Sequence, residues 1–277
     1  MTDPILQVEG LRVSFPGKGF RAPRAQILTG VDFDIRPGET LGLVGESGSG
    51  KTTIGRAVLG LVPVEAGTIR FGGARIDGIS RRRRRSLGSD LQVIFQDPYT
   101  SLNPSLTIGD TLSEPLLGRG MTARDARARV RELLERVQLP ADAADRLPRE
   151  FSGGQRQRVA IARALALRPK LIVCDEPVSA LDLTTQERVL ELLTEIQDQT
   201  GVAYLFISHD LTVIRHMSHR VAVIHRGRFV EQGDVADVTE SPRDPYTRKL
   251  LLAAPVPDPV RQSERRNAFD AEFRSNA

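Results

Sequence analysis

One cysteine, Cys174, stands in 277 residues. That excludes an internal disulfide framework and any four-cysteine cluster or zinc site. No apolar run approaches the ~20 residues that cross a bilayer. The first residues, Met-Thr-Asp-Pro-Ile-Leu-Gln, carry neither a basic region nor an apolar stretch, so no secretory signal is expected. Charge of one sign is also scarce. The chain has 39 basic and 35 acidic residues and a net +4, which does not by itself argue for nucleic acid. Arg81–Arg85 is a local excess, but no aromatic residue is interleaved to stack on bases. A solvated loop or helix face is the plainer reading of that run. A cytosolic protein is expected, and any work at a membrane requires binding something that spans it. Hydrophobic residues make up 40%, enough for one large α/β domain or two small ones.

What is present centres on residues 45–52, Gly-Glu-Ser-Gly-Ser-Gly-Lys-Thr, which fit G-x-x-x-x-G-K-[ST]. Small residues let successive backbone N–H groups curl into a nest for phosphate oxygens. Lys51 brings a mobile positive charge to the outer phosphates, and the Thr52 hydroxyl can ligate Mg²⁺. Leu41-Gly-Leu-Val44 reads as a buried strand before the loop. Residues 52–61 read as a helix after it, with Ile54, Ala57, Val58 and Leu61 on one face. Its N-terminus points at the phosphates and adds its dipole.

Around this loop the chain alternates strands and helices. Residues 5–8, 11–15 and 31–35 alternate apolar and polar as edge-type strands, with an exposed loop expected over 16–26. Gly72-Gly73 sits inside a hairpin over 68–76. These strands form an antiparallel sub-sheet beside the core. Residues 91–95 read as a further strand. Proline and small polar residues then dominate up to Pro115, before a helical segment in which Val130, Leu133, Leu134 and Val137 share a face. Thr122 and Asp125 cap it. Further helices are expected over 156–168 and 184–199, and a buried parallel strand over 171–175. The strand 203–207 ends at Ser208-His209-Asp210, and a hairpin over 221–232 follows. After Ala254 a polar tail is expected to be mobile.

Four features fall at the C-terminal ends of these strands, where open α/β sheets bind ligands. They are the loop at 45–52, Gln96, the Asp175-Glu176 pair and His209. Asp175 suits an acid holding Mg²⁺ through water. Glu176 suits a general base that polarises the attacking water. Gln96 can bridge the metal or water, and His209 can donate to the γ-phosphate. A Ser208-His209-Asp210 hydrolase triad is set aside, because adjacent residues on one strand point to opposite faces. Ser152-Gly-Gly-Gln155 forms a second glycine-rich helix start, again an anion site. One nucleotide does not need two such loops from one subunit. A head-to-tail dimer resolves this, with each ATP held by 45–52 of one chain and 152–155 of the other.

Together, residues 45–52, Gln96, 151–155, 171–176, 179–182 and His209 resemble the ATP-binding subunits of ABC transporters over about residues 5–254. The stretches 93–104, 174–182 and 241–247 look like the oligopeptide/dipeptide importer group, whose relatives carry peptides, nickel or glutathione. Phe151 stands where most of the wider family has leucine. The resemblance implies a P-loop NTPase core with a mainly parallel sheet, an N-terminal antiparallel β sub-sheet and an inserted α-helical subdomain. The ATPase domain then spans 1–254, its helical subdomain about 97–168, and a C-terminal extension 255–277. Many relatives continue into a cysteine-containing module, which is expected to be absent here.

Carried over residue by residue, Phe15 matches the aromatic that stacks on adenine, with Phe20 as the alternative. Gly45, Glu46, Ser47, Gly48, Ser49, Gly50, Lys51, Thr52 and Thr53 surround the phosphates. Thr52, Asp175 and Gln96 serve Mg²⁺, Glu176 is the base, and His209 is the γ-phosphate switch. Ser152, Gly153, Gly154 and Gln155 complete the partner's site, and Asp182 belongs to the loop crossing the dimer. Implied partners are a second ATPase subunit, identical or related, two membrane permease subunits docked at residues 97–115, and indirectly a solute-binding protein. The place of work is the cytoplasmic face of the inner membrane. Two rival classes remain: an exporter or lipid-extruding ATPase, and an ABC ATPase acting on DNA or ribosomes. The second usually carries a long coiled coil or two cassettes. Here Lys51 and Ser152 stand only 101 positions apart without sustained heptads.

Overall fold

The computed structural model describes residues 3–17, 19, 23–97 and 102–254. Phe20 and the tail at 255–277 lie outside the described residues, as do residues 98–101. Two sheets organise the chain. The first is antiparallel and contains β1 (Leu6–Phe15), β2 (Ala25–Ile35), β4 (Ala66–Phe71) and β5 (Ala74–Arg75), in the order β2-β1-β4-β5. The second contains β3 (Thr40–Val44), β6 (Leu91–Ile94), β7 (Leu171–Asp175), β8 (Ala203–Ile207), β9 (Arg220–His225) and β10 (Arg228–Asp234). Its order is β10-β9-β3-β8-β7-β6. Five of its strands run parallel, and β10 returns antiparallel to β9.

The two N-terminal strands expected from the sequence are one. The apolar phase breaks between Val8 and Leu11 because the register shifts there, and Gly10, at φ +58°, donates its N–H to Asp32 Oδ1. A bulge adds a residue and restores the inward face, so Leu6, Val8, Leu11 and Val13 are all buried. The loop expected over 16–26 is shorter for the same kind of reason. β2 already starts at Ala25, paired with Phe15.

Successive residues of the second sheet feed two cores. Leu171 and Val173 pack with the antiparallel sheet and with α1 (Lys51–Val58). Ile172 and Cys174 face the helices on the other side. Both faces of the sheet are covered, which is why these strands read as unbroken apolar runs. Helix α1 ends earlier than its apolar spacing suggests. Gly60 turns at φ +69°, and Leu61, expected on the buried face, is 60% exposed. Helix α2 (Arg81–Leu87) carries the arginine run. Arg84 folds back to donate to Ile76 O and Val58 O, while Arg81, Arg82, Arg83 and Arg85 are exposed.

Between β6 and β7 lie α3 (Ile108–Leu117), α4 (Ala123–Arg136), two short 3₁₀ turns and α5 (Gly153–Leu165). Helix α3 overturns the expectation of a non-helical stretch up to Pro115. It buries Ile108, Leu112 and Leu116, is capped by Thr107, and contains the proline in its last turns. Pro115 masks that apolar stripe in the sequence. Helix α4 is capped as expected, with Thr122 Oγ1 accepting from Asp125 N at 3.2 Å. Helix α5 starts three residues before its expected position, at Gly153, and stops ahead of Arg168, at φ +54°. After β7 come α6 (Leu183–Thr200), α7 (Leu211–Met217), α8 (Val235–Glu240) and α9 (Pro245–Ala253). No sequence pattern assigns α8 or α9. Among the described residues no helix is long and apolar enough to cross a membrane.

Candidate active site

The loop between β3 and α1 closes tightly because two of its glycines have no room for a side chain. A Cβ on Gly45 would stand 2.2 Å from the Ile224 carbonyl oxygen. Gly50, at φ +114°, would bring one within 2.7 Å of Leu28 Cδ2. Ser49 N donates to Glu46 O at 3.2 Å, which curls the chain, and Gly227 N donates to Ser49 O at 3.0 Å from the β9–β10 turn. The Ser49 hydroxyl is buried inside the loop, close to Gly45, and has no partner among the described residues. Glu46, Ser47 and Gly48 are exposed, and Thr52 and Thr53 half-buried.

Lys51 is buried, and its Nζ donates to Gly45 O at 2.7 Å and Glu46 O at 3.0 Å. Burial lowers its pKa, against the opposing pull of Glu176 and Asp175. Thr52 Oγ1 donates to Asp175 Oδ1 at 2.9 Å. Burial raises the Asp175 pKa, opposed by the Thr52 hydrogen bond and Arg56, reinforced by Glu176 and opposed again by Lys51. A cation and an anion are thus both held in surroundings that penalise their charge. An incoming phosphate relieves the first and a divalent cation the second. Two hard oxygen donors side by side fit Mg²⁺, which takes few protein ligands and fills its octahedron with phosphates and water. Among the described residues no group of three or more His, Cys, Asp or Glu could hold a metal by itself.

Glu176 follows β7 at φ +51°, a conformation that costs a non-glycine residue about 1–3 kcal/mol. Its N–H donates to Ile207 O at 3.0 Å, so the turn is tied to the neighbouring strand. That turn brings Glu176 Oε2 within 3.1 Å of His209 Nδ1. Ser208, His209 and Asp210 lie beyond the last residue of β8, so strand alternation is not the reason they form no triad. Instead each is used separately. Ser208 Oγ accepts from Asp210 N at 3.0 Å, and Asp210 caps α7 through Thr212 N at 2.7 Å, while His209 faces Glu176.

Gln96 sits two positions beyond β6, whose Ile94 pairs with Cys174, and its side chain is exposed. No hydrogen bond among the described residues joins it to Asp175 or Glu176. Phe15 ends β1 and packs half-buried against the core under the antiparallel sheet. Ser152 caps α5 reciprocally with Gln155, Oγ accepting from Gln155 N at 3.3 Å and Gln155 Oε1 from Ser152 N at 3.0 Å. Gly153 and Gly154 form its first turn. Asp182 caps α6, taking Thr185 N at 3.0 Å and Thr185 Oγ1 at 2.7 Å, and these bonds hold its carboxyl below the usual range. Within the chain, then, 45–52, Asp175, Glu176 and His209 form one cluster. Ser152–Gln155 and Asp182 form another, and α5 packs on β6, α3, α4 and α6. No described hydrogen bond joins the two.

Sequence reasoning misses Gly227 and Tyr246 at the phosphate loop. The Tyr246 hydroxyl accepts from Glu46 N at 3.0 Å across 200 positions of sequence. Tyr246 stands out in the sequence only as part of the stretch 241–247, and nothing in its spacing points to the loop.

A family model described as ABC transporter matches residues 28–179. The glutathione import ATP-binding protein GsiA of Salmonella paratyphi A is 51% identical over 279 residues, covering 99% of this chain and 45% of that protein. The chain thus spans less than half the length of the curated relatives it matches. Among solved structures, cbiO1 from Clostridium perfringens, part of the ABC transporter complex cbiONQ, superposes with a TM-score of 0.77 at 28% identity. The alignment covers 86% of this chain and 92% of that one. The ATP-binding cassette MJ0796, a dimer in a post-hydrolysis state bound to ADP and Pi, gives 0.74 at 27% identity. It covers 83% of this chain and 98% of its own.

Proposed function

The chain belongs to the ABC transporter family, and from that premise we propose that it is an ATP-hydrolysing subunit that drives an importer of small peptide-like solutes. One observation carries the reading. A single cluster presents a phosphate nest, a buried ammonium, a paired hydroxyl and carboxylate for Mg²⁺, and a glutamate held against a histidine. Phe15 stacks on adenine. The backbone of residues 45–53 cradles the phosphates, and Lys51 meets the outer ones. Thr52, Asp175 and Gln96 would hold Mg²⁺, whose charge would offset that of the phosphates. Glu176 takes a proton from water as the water oxygen bonds to the γ-phosphorus and the bond to the bridging oxygen breaks, giving ADP and phosphate. With Nδ1 on Glu176, His209 turns its other ring nitrogen, Nε2, to the γ-phosphate.

The second glycine-rich helix start, Ser152–Gln155, which no described hydrogen bond joins to this cluster, supports a head-to-tail dimer, each nucleotide lying between two subunits. The second subunit is a copy or a related chain. Residues 97–168 act as the helical subdomain, and residues 97–115 beside Gln96 dock two permease subunits at the cytoplasmic face of the inner membrane. The importer reading comes from the relatives named for glutathione import. It is tested by deleting the chain and measuring uptake of labelled di- and oligopeptides, glutathione and nickel. Loss of one class identifies the solute, and undiminished uptake of all of them sinks the importer assignment.

A further inference from the structure

The peptide unit joining Gly45 to Glu46 is held at both ends. Its carbonyl oxygen accepts from Lys51 Nζ at 2.7 Å, and its N–H donates to the Tyr246 hydroxyl at 3.0 Å. Because a peptide unit is planar, it cannot turn to adjust one bond without moving the other. Lys51 takes a further bond to Glu46 O at 3.0 Å, so the position of the ammonium follows the position of this short stretch.

Tyr246 is itself fixed. Its ring lies on that of His225, the last residue of β9, with centroids 4.0 Å apart and planes tilted by 40°. Its N–H donates to Asp244 Oδ1 at 2.8 Å. The Glu231 carboxylate accepts from the N–H groups of Arg243 and Asp244 at 2.8 and 3.2 Å, pinning the start of α9 to β10. Thr247, next in line, is buried, and Leu250 and Leu251 pack on the core. Burial raises the pKa of the Tyr246 hydroxyl, so it stays protonated and neutral at physiological pH. A neutral hydroxyl accepts the Glu46 N–H without setting a fixed negative charge beside the phosphates.

We propose that Tyr246 is a positioning residue for the nucleotide: through the Gly45–Glu46 peptide it sets where Lys51 meets the outer phosphates, and it makes nucleotide affinity depend on α9. This rests on the reading of Lys51 as a phosphate ligand.

The test measures equilibrium binding of MgATP, MgADP and AMP to the full chain, with Tyr246→Phe, Lys51→Ala and the double variant. Phenylalanine keeps the ring on His225 and removes only the acceptor. Tyr246→Phe weakens MgATP and MgADP binding about 2- to 10-fold, the worth of one net hydrogen bond. AMP binding stays at its wild-type value. In the Lys51→Ala background, Tyr246→Phe adds no further loss, because its effect runs through that ammonium. Unchanged ATP affinity in Tyr246→Phe, an equal loss for AMP, or a full additional loss in the double variant each overturns the proposal. If Lys51→Ala alone leaves ATP binding intact, the reading of Lys51 fails and this proposal fails with it. If Lys51→Ala weakens binding and Tyr246→Phe does not, the proposal alone fails.

Discussion

Gly154, in the first turn of α5, approaches Thr185, in the first turn of α6, so closely that a Cβ on the glycine would stand 2.2 Å from Thr185 Cγ2. The threonine cannot rotate away, because its Oγ1 and its N–H are both committed to Asp182 at 2.7 and 3.0 Å. The glycine-rich helix start and the Asp182 loop are therefore one patch, held together by a missing methyl group. If they cross a dimer interface, they cross it as a unit.

Gly154→Ala forces these two helix starts apart. Overpacking of this kind costs about 1–3 kcal/mol, and the variant is expected to melt lower and to lose ATP-dependent dimerisation. Thr185→Ser keeps the hydroxyl on Asp182 and removes Cγ2. Adding it to Gly154→Ala restores the melting temperature and the dimer, read by calorimetry and by size-exclusion chromatography with ATP. A Gly154→Ala variant that dimerises normally shows that the clash is absorbed elsewhere.

Glu176→Gln keeps the size of the side chain facing His209 and removes its capacity to take a proton. Turnover is expected to fall at least about 10²-fold, the range of general-base contributions. ATP binding persists and an ATP-dependent dimer accumulates, because closure without hydrolysis has no route back. Light scattering with and without ATP separates these outcomes, and wild-type turnover in the variant removes Glu176 as the base.

The strand–loop–helix around residues 45–52 was legible because each element is local: a short apolar run, small residues, then helical spacing. The strand ends bearing Asp175, Glu176 and His209 were legible for the same reason. Local pattern failed where a residue's partner is distant or its signal ambiguous. Leu61 has helical spacing, yet Gly60 turns the chain and leaves it in solvent. Pro115 reads as a breaker, yet α3 carries it because Ile108, Leu112 and Leu116 are buried around it. Tyr246 reaches Glu46 only through the fold, and the second role of Gly154 is visible only with Thr185 beside it.

The raised pKa of Asp175 fixes the sign of a pH effect. Its carboxyl binds a proton more tightly folded than unfolded, so its contribution to stability falls as pH rises from the ordinary value of 3.8 through the raised folded value. Above that window the carboxyl is a net cost to the nucleotide-free protein. Asp175→Asn keeps an acceptor for Thr52 Oγ1 and removes that charge. Its melting temperature at pH 7 is expected to exceed wild type, by about 2–4 °C per kcal/mol relieved. The gap closes toward pH 4, and Mg²⁺-dependent ATPase activity is lost. A variant that melts below wild type at pH 7 contradicts the assignment of burial as the dominant cause.

Four large apolar side chains of the first half of the chain stand in solvent: Leu61 at 60% exposure, Leu117 at 46%, Met121 at 38% and Phe95 at 37%. Helix α2 is tied to the segments that carry Leu61 and Met121. Arg84 donates to Val58 O at the end of α1, and Arg119, two residues before Met121, donates to Arg85 O and Ser86 O. Single exposed apolar residues are ordinary, but Leu61 and Met121 on segments tied to α2, with Phe95 next to Gln96 in the chain, suit a partner that covers them. Leu61→Ser with Met121→Ser should therefore spare ATP affinity and the melting temperature, since neither side chain is buried, while co-purification with the permease and solute uptake fall at least about 10-fold, the loss of one or two interface anchors. Leu183→Ser is the matched control. Leu183 is 82% exposed at the start of α6 beside Asp182, far from α2 in sequence, so its loss should weaken ATP-dependent dimerisation and leave permease binding alone. If the Leu61 and Met121 pair behaves as the Leu183 control does, the permease docks elsewhere.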